Sequence, residues 1–212
     1  MIIAIDGTTA SGKGTIAKRL AAKYALPHMD TGCLYRATAV AALKQGVALD
    51  DAAALQQIAI NLDLSKFRDS DLRTGEAGKA ASQVAVIPEV RQALFELQRS
   101  FATQAGGALL DGRDIGTVIA PDADVKLWVD ANVEQRGYRR WKELVGFEPD
   151  VTLEEVIKQL RIRDERDQSR KDAPAAIASD AVLIDTTDLT IDAAVEKAIV
   201  AVEAVLARGK TV

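Results

Sequence analysis

The 212-residue sequence has a single cysteine, Cys33, so no disulfide can form within the chain. A single histidine, His28, accompanies it, which excludes a metal site built from a Cys/His cluster. Aromatic residues are only 4% of the chain, so a core must come from Ala, Val, Ile and Leu; hydrophobic residues at 48% supply one. Positive charge is not in excess. Lys and Arg number 27 against 31 Asp and Glu, a net charge of -4, which argues against general nucleic-acid binding because such proteins need a basic face. No apolar run approaches the ~20 residues of a membrane span. The N-terminus shows no basic region followed by a long apolar stretch, so no leader is expected. These features predict a soluble, cytoplasmic, single-domain protein over 1–212, with neither nucleic acid nor membrane as partner.

What is present is an alternation of apolar runs and amphipathic stretches. "MIIAID" (1–6), "GALLDG" (107–112), "VKLWVDA" (125–131) and "AVLIDT" (181–186) read as buried strands. Helices are predicted over 13–25, 31–46, 50–62, 88–104, 133–146, 153–170 and 190–209. Pro27 ends the first, Gly46 closes the second, and Pro88 opens the fourth at a favoured position. Residues 63–80 are charged and broken by Gly75 and Gly78, and read as an irregular lobe. Strand–helix alternation predicts an α/β fold with a central parallel sheet covered on both faces.

Residues 7–15, "GTTASGKGT", follow the first strand and open the first helix. Gly7, Gly12 and Lys13 form the G-x-x-x-x-G-K element of a phosphate-binding loop. Glycines let backbone N–H groups approach phosphate oxygens, the helix offers its positive end, and Lys13 adds a charge for the β/γ-phosphates. A Gly-rich strand–helix turn without a ligand can look the same, but the position between strand and helix favours phosphate binding. Gly14 displaces the usual hydroxyl residue to Thr15, which can meet phosphate or Mg²⁺, directly or through water. The predicted donor loop is Gly7, Thr8, Thr9, Ala10, Ser11, Gly12, Lys13, Gly14 and Thr15.

The second substrate must be read downstream. The chain has 15 Arg and 12 Lys, and arginine suits bidentate contacts to phosphate. "MDTGCLYR" sets Thr31 at a helix start and Arg36 within that helix, although "DTG" also suits plain helix capping. "LLDGRD" runs a buried strand into Arg113 and Asp114, at the strand end where doubly wound sheets bind ligands. A structural ion pair is the competing reading. "RDERDQSR" places Arg163, Asp167 and Arg170 on one helical face, and "RGYRR" spaces Arg136 and Arg140 at i, i+4. Either group can clamp a transferring phosphoryl group or face water. A kinase of UMP, AMP or shikimate, or a nucleotide-binding switch without catalysis, remains open on these residues alone.

In order, "DGTTASGKGT", "MDTGCLYRA", "ASQVAVIPEVR", "DGRDIGTVIAPDADVKLWVDA", "RGYRR" and "RDERDQSR…PA…SDAVLIDT" resemble the bacterial cytidylate kinases over nearly the whole chain. The resemblance implies a P-loop kinase with a reduced acceptor lobe (61–105), a short lid (136–150), ATP as donor, Mg²⁺ as cofactor, CMP or dCMP as acceptor, and a monomer. Thr31, Arg36 and Arg113 would hold the acceptor phosphate. Ser82, Arg91 and Asp114 would read cytosine, and Arg163 and Asp167 would hold the sugar. Lys13, Arg136, Arg140 and Arg170 would neutralise charge during transfer. Three departures stand out. Ala10 occupies a position that is usually Gly, 63–80 is too short for the small inserted sheet of longer members, and Gly137 replaces a common Ala, lowering helix propensity in the lid. His28 reads as a packing or turn residue, and Cys33 as a small buried one.

Overall fold

The structure is a computed structural model and describes residues 1–209. Five strands form one parallel sheet in the order β2-β3-β1-β4-β5: β1 (Ile2–Gly7), β2 (His28–Asp30), β3 (Ala108–Gly112), β4 (Val125–Asp130) and β5 (Val182–Asp185). The four predicted strands are all there. The added one, β2, pairs His28 with Leu109 and Asp30 with Asp111, and carries a single apolar residue in three. β1 pairs with β3 on one side and β4 on the other, so the sheet is built outward from the N-terminal strand.

Both faces of the sheet are covered, which explains the uninterrupted apolar runs. On one face α1 (Lys13–Tyr24) and α9 (Ile191–Gly209) pack Ile16, Leu20, Ala198 and Val202 onto Ile3, Ile5, Leu127 and Val129. On the other, α6 (Pro88–Ala102) and a π-helical turn (Ile115–Ile119) cover Ala4, Ala108 and Leu110. A second core joins α2 (Thr31–Lys44), α3 (Ala52–Ile60), α5 (Gly75–Val84) and α6 through Leu34, Leu55, Val84 and Leu94.

Residues 63–80 are more ordered than the glycines imply. A 3-10 turn (Leu64–Lys66) and a short α4 (Asp69–Leu72) lead into α5. Thr74 caps α5 through a bond from the Ala77 amide, Gly75 occupies its first position, and Ala77, Ala80, Ala81 and Val84 are buried. Burial of that face outweighs the cost of two glycines. No strand lies between β2 and β3 among the described residues, in keeping with a lobe too short for an inserted sheet.

The helix pair α7 (Val133–Leu144) and α8 (Leu153–Gln168) closes over the strand ends. Thr152 and Glu155 form a capping box at the start of α8. A Cβ at the buried Gly137 would overlap the side chain of Ile157. Gly137 therefore sets how closely the two helices approach, and its effect is packing rather than loosening of α7. Trp141 stacks on Tyr138, and its indole N–H donates to the Val151 carbonyl at 3.0 Å, tying the α7–α8 loop down.

Two backbone features prepare the strand ends. Gly7 (φ 152°) lies against β4 so closely that a Cβ would overlap the Val129 carbonyl. Ala10 has φ 62°, the left-handed region, where a Cβ costs ~1–2 kcal/mol. The Gly-to-Ala departure is thus a source of strain. Asp6, at the end of β1 and 4% exposed, accepts from the amides of Ile115 (2.9 Å) and Gly116 (2.8 Å) and anchors the π-helical turn. Burial pushes its carboxyl up to about 7, against the lowering effect of those two amides, and the Asp114 charge adds to the rise.

Two outcomes follow for stability. Ala10→Gly is expected to raise Tm by ~1–4 °C, since relief of strain exceeds the added entropy of the unfolded chain; thermal unfolding checks it. The second concerns Asp6, whose carboxyl is raised in the folded state. Its contribution is fully present below the ordinary carboxylate range and is lost as pH rises through about 7. Denaturant unfolding from pH 5 to 8 should therefore show wild-type stability falling relative to Asp6→Asn, which has nothing to titrate.

Candidate active site

The loop after β1 is held by side chains from other strand ends. Thr8 Oγ1 donates to Asp130 at 2.5 Å, Ser11 Oγ donates to the Thr8 carbonyl at 2.9 Å, and Thr186 Oγ1 donates to the Ser11 carbonyl at 2.7 Å. Gly12 caps α1 in the left-handed region (φ 88°) with no side-chain cap. The first turn of α1 has no acidic residue, and Gly14 and Thr15 are exposed, so the helix start is open to an anion.

Lys13 does not point into solvent. Its ammonium pairs with Asp111, at the carboxyl end of β3, which is 1% exposed. His28 Nε2 lies 2.8 Å from the other oxygen of the same carboxylate. Burial acts to raise the Asp111 pKa, but the Lys13 charge and the His28 contact more than offset it, leaving the group well below the usual carboxylate range. Asp111 was not among the expected site residues, and His28 is a carboxylate partner rather than a turn residue.

The expected acceptor residues arrive from α2, α5, α6, α8 and the end of β3. Asp30 accepts from the Cys33 amide as the cap of α2 and pairs with Arg36 at 2.6 Å, so capping and charge pairing coexist. Cys33 is half-buried, and burial raises its thiol pKa. Thr31 is 3% exposed and donates to the Asp111 carbonyl at 2.9 Å. Arg113 spans the two halves of the site. It donates to Thr9 Oγ1 at 2.6 Å and to Asp167 at 3.1 Å.

Asp114 and Arg91 form a buried ion pair, and the Arg91 guanidinium lies over the Tyr35 ring at 5.8 Å. Ser82, 3% exposed, accepts from Arg166 at 3.0 Å rather than from that pair. Arg166 and Tyr35 had not been expected here; "RDERDQSR" contains the first, and the second precedes Arg36 by one residue.

One expectation about a helical face needs correction, and one pair of arginines on a shared helix takes separate partners. α8 ends at Gln168, so Arg170 does not share its face with Arg163 and Asp167; it turns back and donates from Nε to the Asp167 carbonyl at 3.1 Å. Arg136 and Arg140 also diverge. Arg136 is buried and donates to Ala131 (2.8 Å), Thr9 (3.3 Å) and Asp164 (2.7 Å), bracing the loop. Arg140 reaches Glu143 at 2.9 Å and the Arg73 carbonyl at 3.4 Å.

The result is a cluster of cations without enough anions. Burial, together with the positive charges of Arg113, Arg36 and Arg140, pushes the Arg163 pKa down to about 10, despite Asp167 nearby. Arg163 Nε and Arg170 Nη2 are buried with no hydrogen-bond partner. An orphaned guanidinium donor in a cationic cluster is satisfied by an anion with several acceptor oxygens, and a phosphate has that shape. Gly78 lines the same place, 3.6 Å from Arg163 and 3.8 Å from Arg140 as measured from an added Cβ. No group of three or more His, Cys, Asp or Glu side chains is placed to hold a metal among the described residues. No described helix is long and apolar enough to cross a membrane.

Comparison with known proteins agrees with this layout. The family model described as cytidylate kinase matches residues 3–204. A protein named cytidylate kinase from Methylocella silvestris is 55% identical over 203 residues, covering 96% of this chain and 94% of the relative. One of the same name from Xanthobacter autotrophicus is 53% identical over 204 residues, 96% of this chain and 98% of the relative. One from Caulobacter vibrioides is 52% identical over 197 residues, 93% and 92% of the two chains. Among solved structures, an uncharacterized protein from Eubacterium ventriosum superposes with a TM-score of 0.55 at 14% identity, covering 96% of this chain and 98% of that one, a likeness of fold. A parallel sheet with a Gly-rich loop on its central strand, an arginine cluster beside it, and relatives of this identity along the whole length together establish that the chain belongs to the cytidylate kinase family.

Proposed function

We propose that this protein transfers the γ-phosphoryl group of ATP to CMP or dCMP, giving ADP and CDP or dCDP. The observation that carries the reading is the second anion site: Arg36, Arg113, Arg163 and Arg170 gather beside the donor loop, with two buried guanidinium N–H groups lacking partners. A protein that only binds ATP has no use for it.

In this reading the donor phosphates lie on the amides of Gly7–Thr15. Arg113, which touches Thr9 of the donor loop and Asp167 of α8, aligns the acceptor phosphate with the donor. An oxygen of the acceptor phosphate attacks the γ-phosphorus, and the bond to the β-phosphate oxygen breaks, leaving ADP. The acceptor oxygen is already an anion, so no general base is needed. Catalysis is alignment plus neutralisation of charge by Lys13, Arg170 and Arg140, with Arg136 bracing the loop.

Mg²⁺ fits the oxygen donors present. The Thr15 hydroxyl at the exposed start of α1 would hold it together with phosphate oxygens and water. When bound, it would neutralise the β/γ-phosphates. The buried Asp114–Arg91 pair offers a carboxylate to a ring amino group and a guanidinium to a ring nitrogen or carbonyl, and Ser82 on α5 is assigned to the same ring. Uracil would set a carbonyl against the carboxylate and leave it unpaired. Asp167 and Arg163 are assigned to the sugar.

Residues 61–105 act as the acceptor lobe and 136–150 as a lid whose closure excludes water. Free nucleotides as substrates set the compartment as the cytoplasm, within pyrimidine nucleotide metabolism, and both substrate sites come from one chain, which suits a monomer.

Two measurements test the reading. Purified protein with ATP, Mg²⁺ and CMP should release CDP; background levels of CDP would overturn it. Across CMP, dCMP, UMP and AMP, Asp114→Asn is expected to lower kcat/KM for the cytosine acceptors ~10- to 100-fold and to change the others far less. An unchanged acceptor ranking removes Asp114 from base recognition.

A further inference from the structure

The buried carboxylate of Asp111 has two side-chain partners, one on each oxygen. Lys13 comes from the start of α1, and His28 from β2. The three side chains are 11%, 16% and 1% exposed for Lys13, His28 and Asp111, so little water reaches the group. Lys13 is also the residue whose charge the donor phosphates need. An ammonium has three N–H donors, and turning them toward phosphate loosens its hold on Asp111. A carboxylate stripped of its partner in a buried site is costly. His28 is placed so that this does not happen: it sits on the other oxygen and keeps it whether or not Lys13 moves.

We propose that His28 is a positioning residue for the donor site, holding Asp111 in place and hydrogen-bonded while Lys13 engages the phosphates of ATP. The role rests on the donor half of the function above and is independent of which acceptor is used. Nothing in the position of His28 requires it to touch either nucleotide. It acts through Asp111, and Asp111 acts on Lys13. β2 is an edge strand of three residues whose pairing with β3 brings His28 next to Leu109, two positions before Asp111. A short edge strand with little apolar content has a use if its purpose is to carry this contact.

The test is binding of ATP alone, without acceptor and with a chelator present, so that only protein groups meet the phosphates. Calorimetry compares wild type, His28→Leu and His28→Gln. His28→Leu is expected to weaken ATP roughly tenfold, because release of Lys13 then leaves the Asp111 carboxylate with no side-chain partner at all, where the wild type keeps one. CMP affinity should stay within about twofold, and His28→Gln, which restores an N–H donor, should recover most of the loss. In an Asp111→Asn background, His28→Leu should add little, since its route of action is gone. Equal ATP affinity in wild type and His28→Leu overturns the proposal, as does a His28→Gln protein no better than His28→Leu. Should His28→Leu not fold, the wild type carries the test. Its single histidine gives one set of imidazole ¹⁵N signals, and saturating ATP must shift them; signals that stay in place overturn the proposal. Because no acceptor is present, a wrong assignment of CMP would leave all these results unchanged.

Discussion

Parallel pairing of β1 with strands on both sides is the constraint on which the site depends. With β3 and β4 flanking β1 in one direction, the three carboxyl ends lie side by side. The donor loop leaves β1, Arg113 and Asp114 leave β3, and Asp130 ends β4, all at the same edge. Gly7 makes this possible locally, since any Cβ there would push β1 away from the Val129 carbonyl. Asp6 then ties the end of β1 to the turn that follows Asp114. The loop proposed for the donor and the residues proposed for the acceptor are thus joined by one strand end.

The charges at that edge are balanced unevenly. Lys13, Arg36, Arg91, Arg113 and Arg136 each have a carboxylate close by. Those pairs keep cations oriented in a poorly solvated place, where an unpaired ion is expensive. Pairing runs short at Arg163, which reaches only 3.8 Å to the Asp167 carboxylate already held by Arg113, and at Arg170; two buried N–H groups without hydrogen bonds mark the deficit. In the proposed assignment, substrate anions meet a site that is already arranged and lacks only its negative charge. That is preorganisation, and it lowers the reorganisation needed at the moment of transfer.

The fold was legible in the sequence wherever apolar residues ran together or recurred at helical spacing. β1, β3, β4 and β5 announce themselves as apolar runs, and most helices by their spacing and caps. β2 was invisible because an edge strand of His-Met-Asp has no pattern to read. α5 was hidden by its glycines, whose cost is offset by the alanines and Val84 packed beneath them. At the site, motifs identified residue types well, but partners poorly. Asp111 stood in plain view inside "LLDGRD", yet its contacts with Lys13 and His28 depend on sheet register, which spacing along the chain does not encode. Arg170 was placed on a helical face that ends two residues earlier. The turn after α8 brings it back to Asp167 by a backbone contact that no periodicity describes.

The scarcity of aromatic residues has an optical consequence. The chain holds two tryptophans. Trp128 lies 6% exposed within β4, in the rigid sheet. Trp141 is in α7, stacked on Tyr138 and bonded to the loop at Val151. Trp128 borders the candidate site beside Gly7, Thr8 and Arg113, and Trp141 rides on the segment proposed as the lid. Under that proposal one indole reports the site and the other the lid, so the natural sequence already contains its own pair of fluorescent gauges.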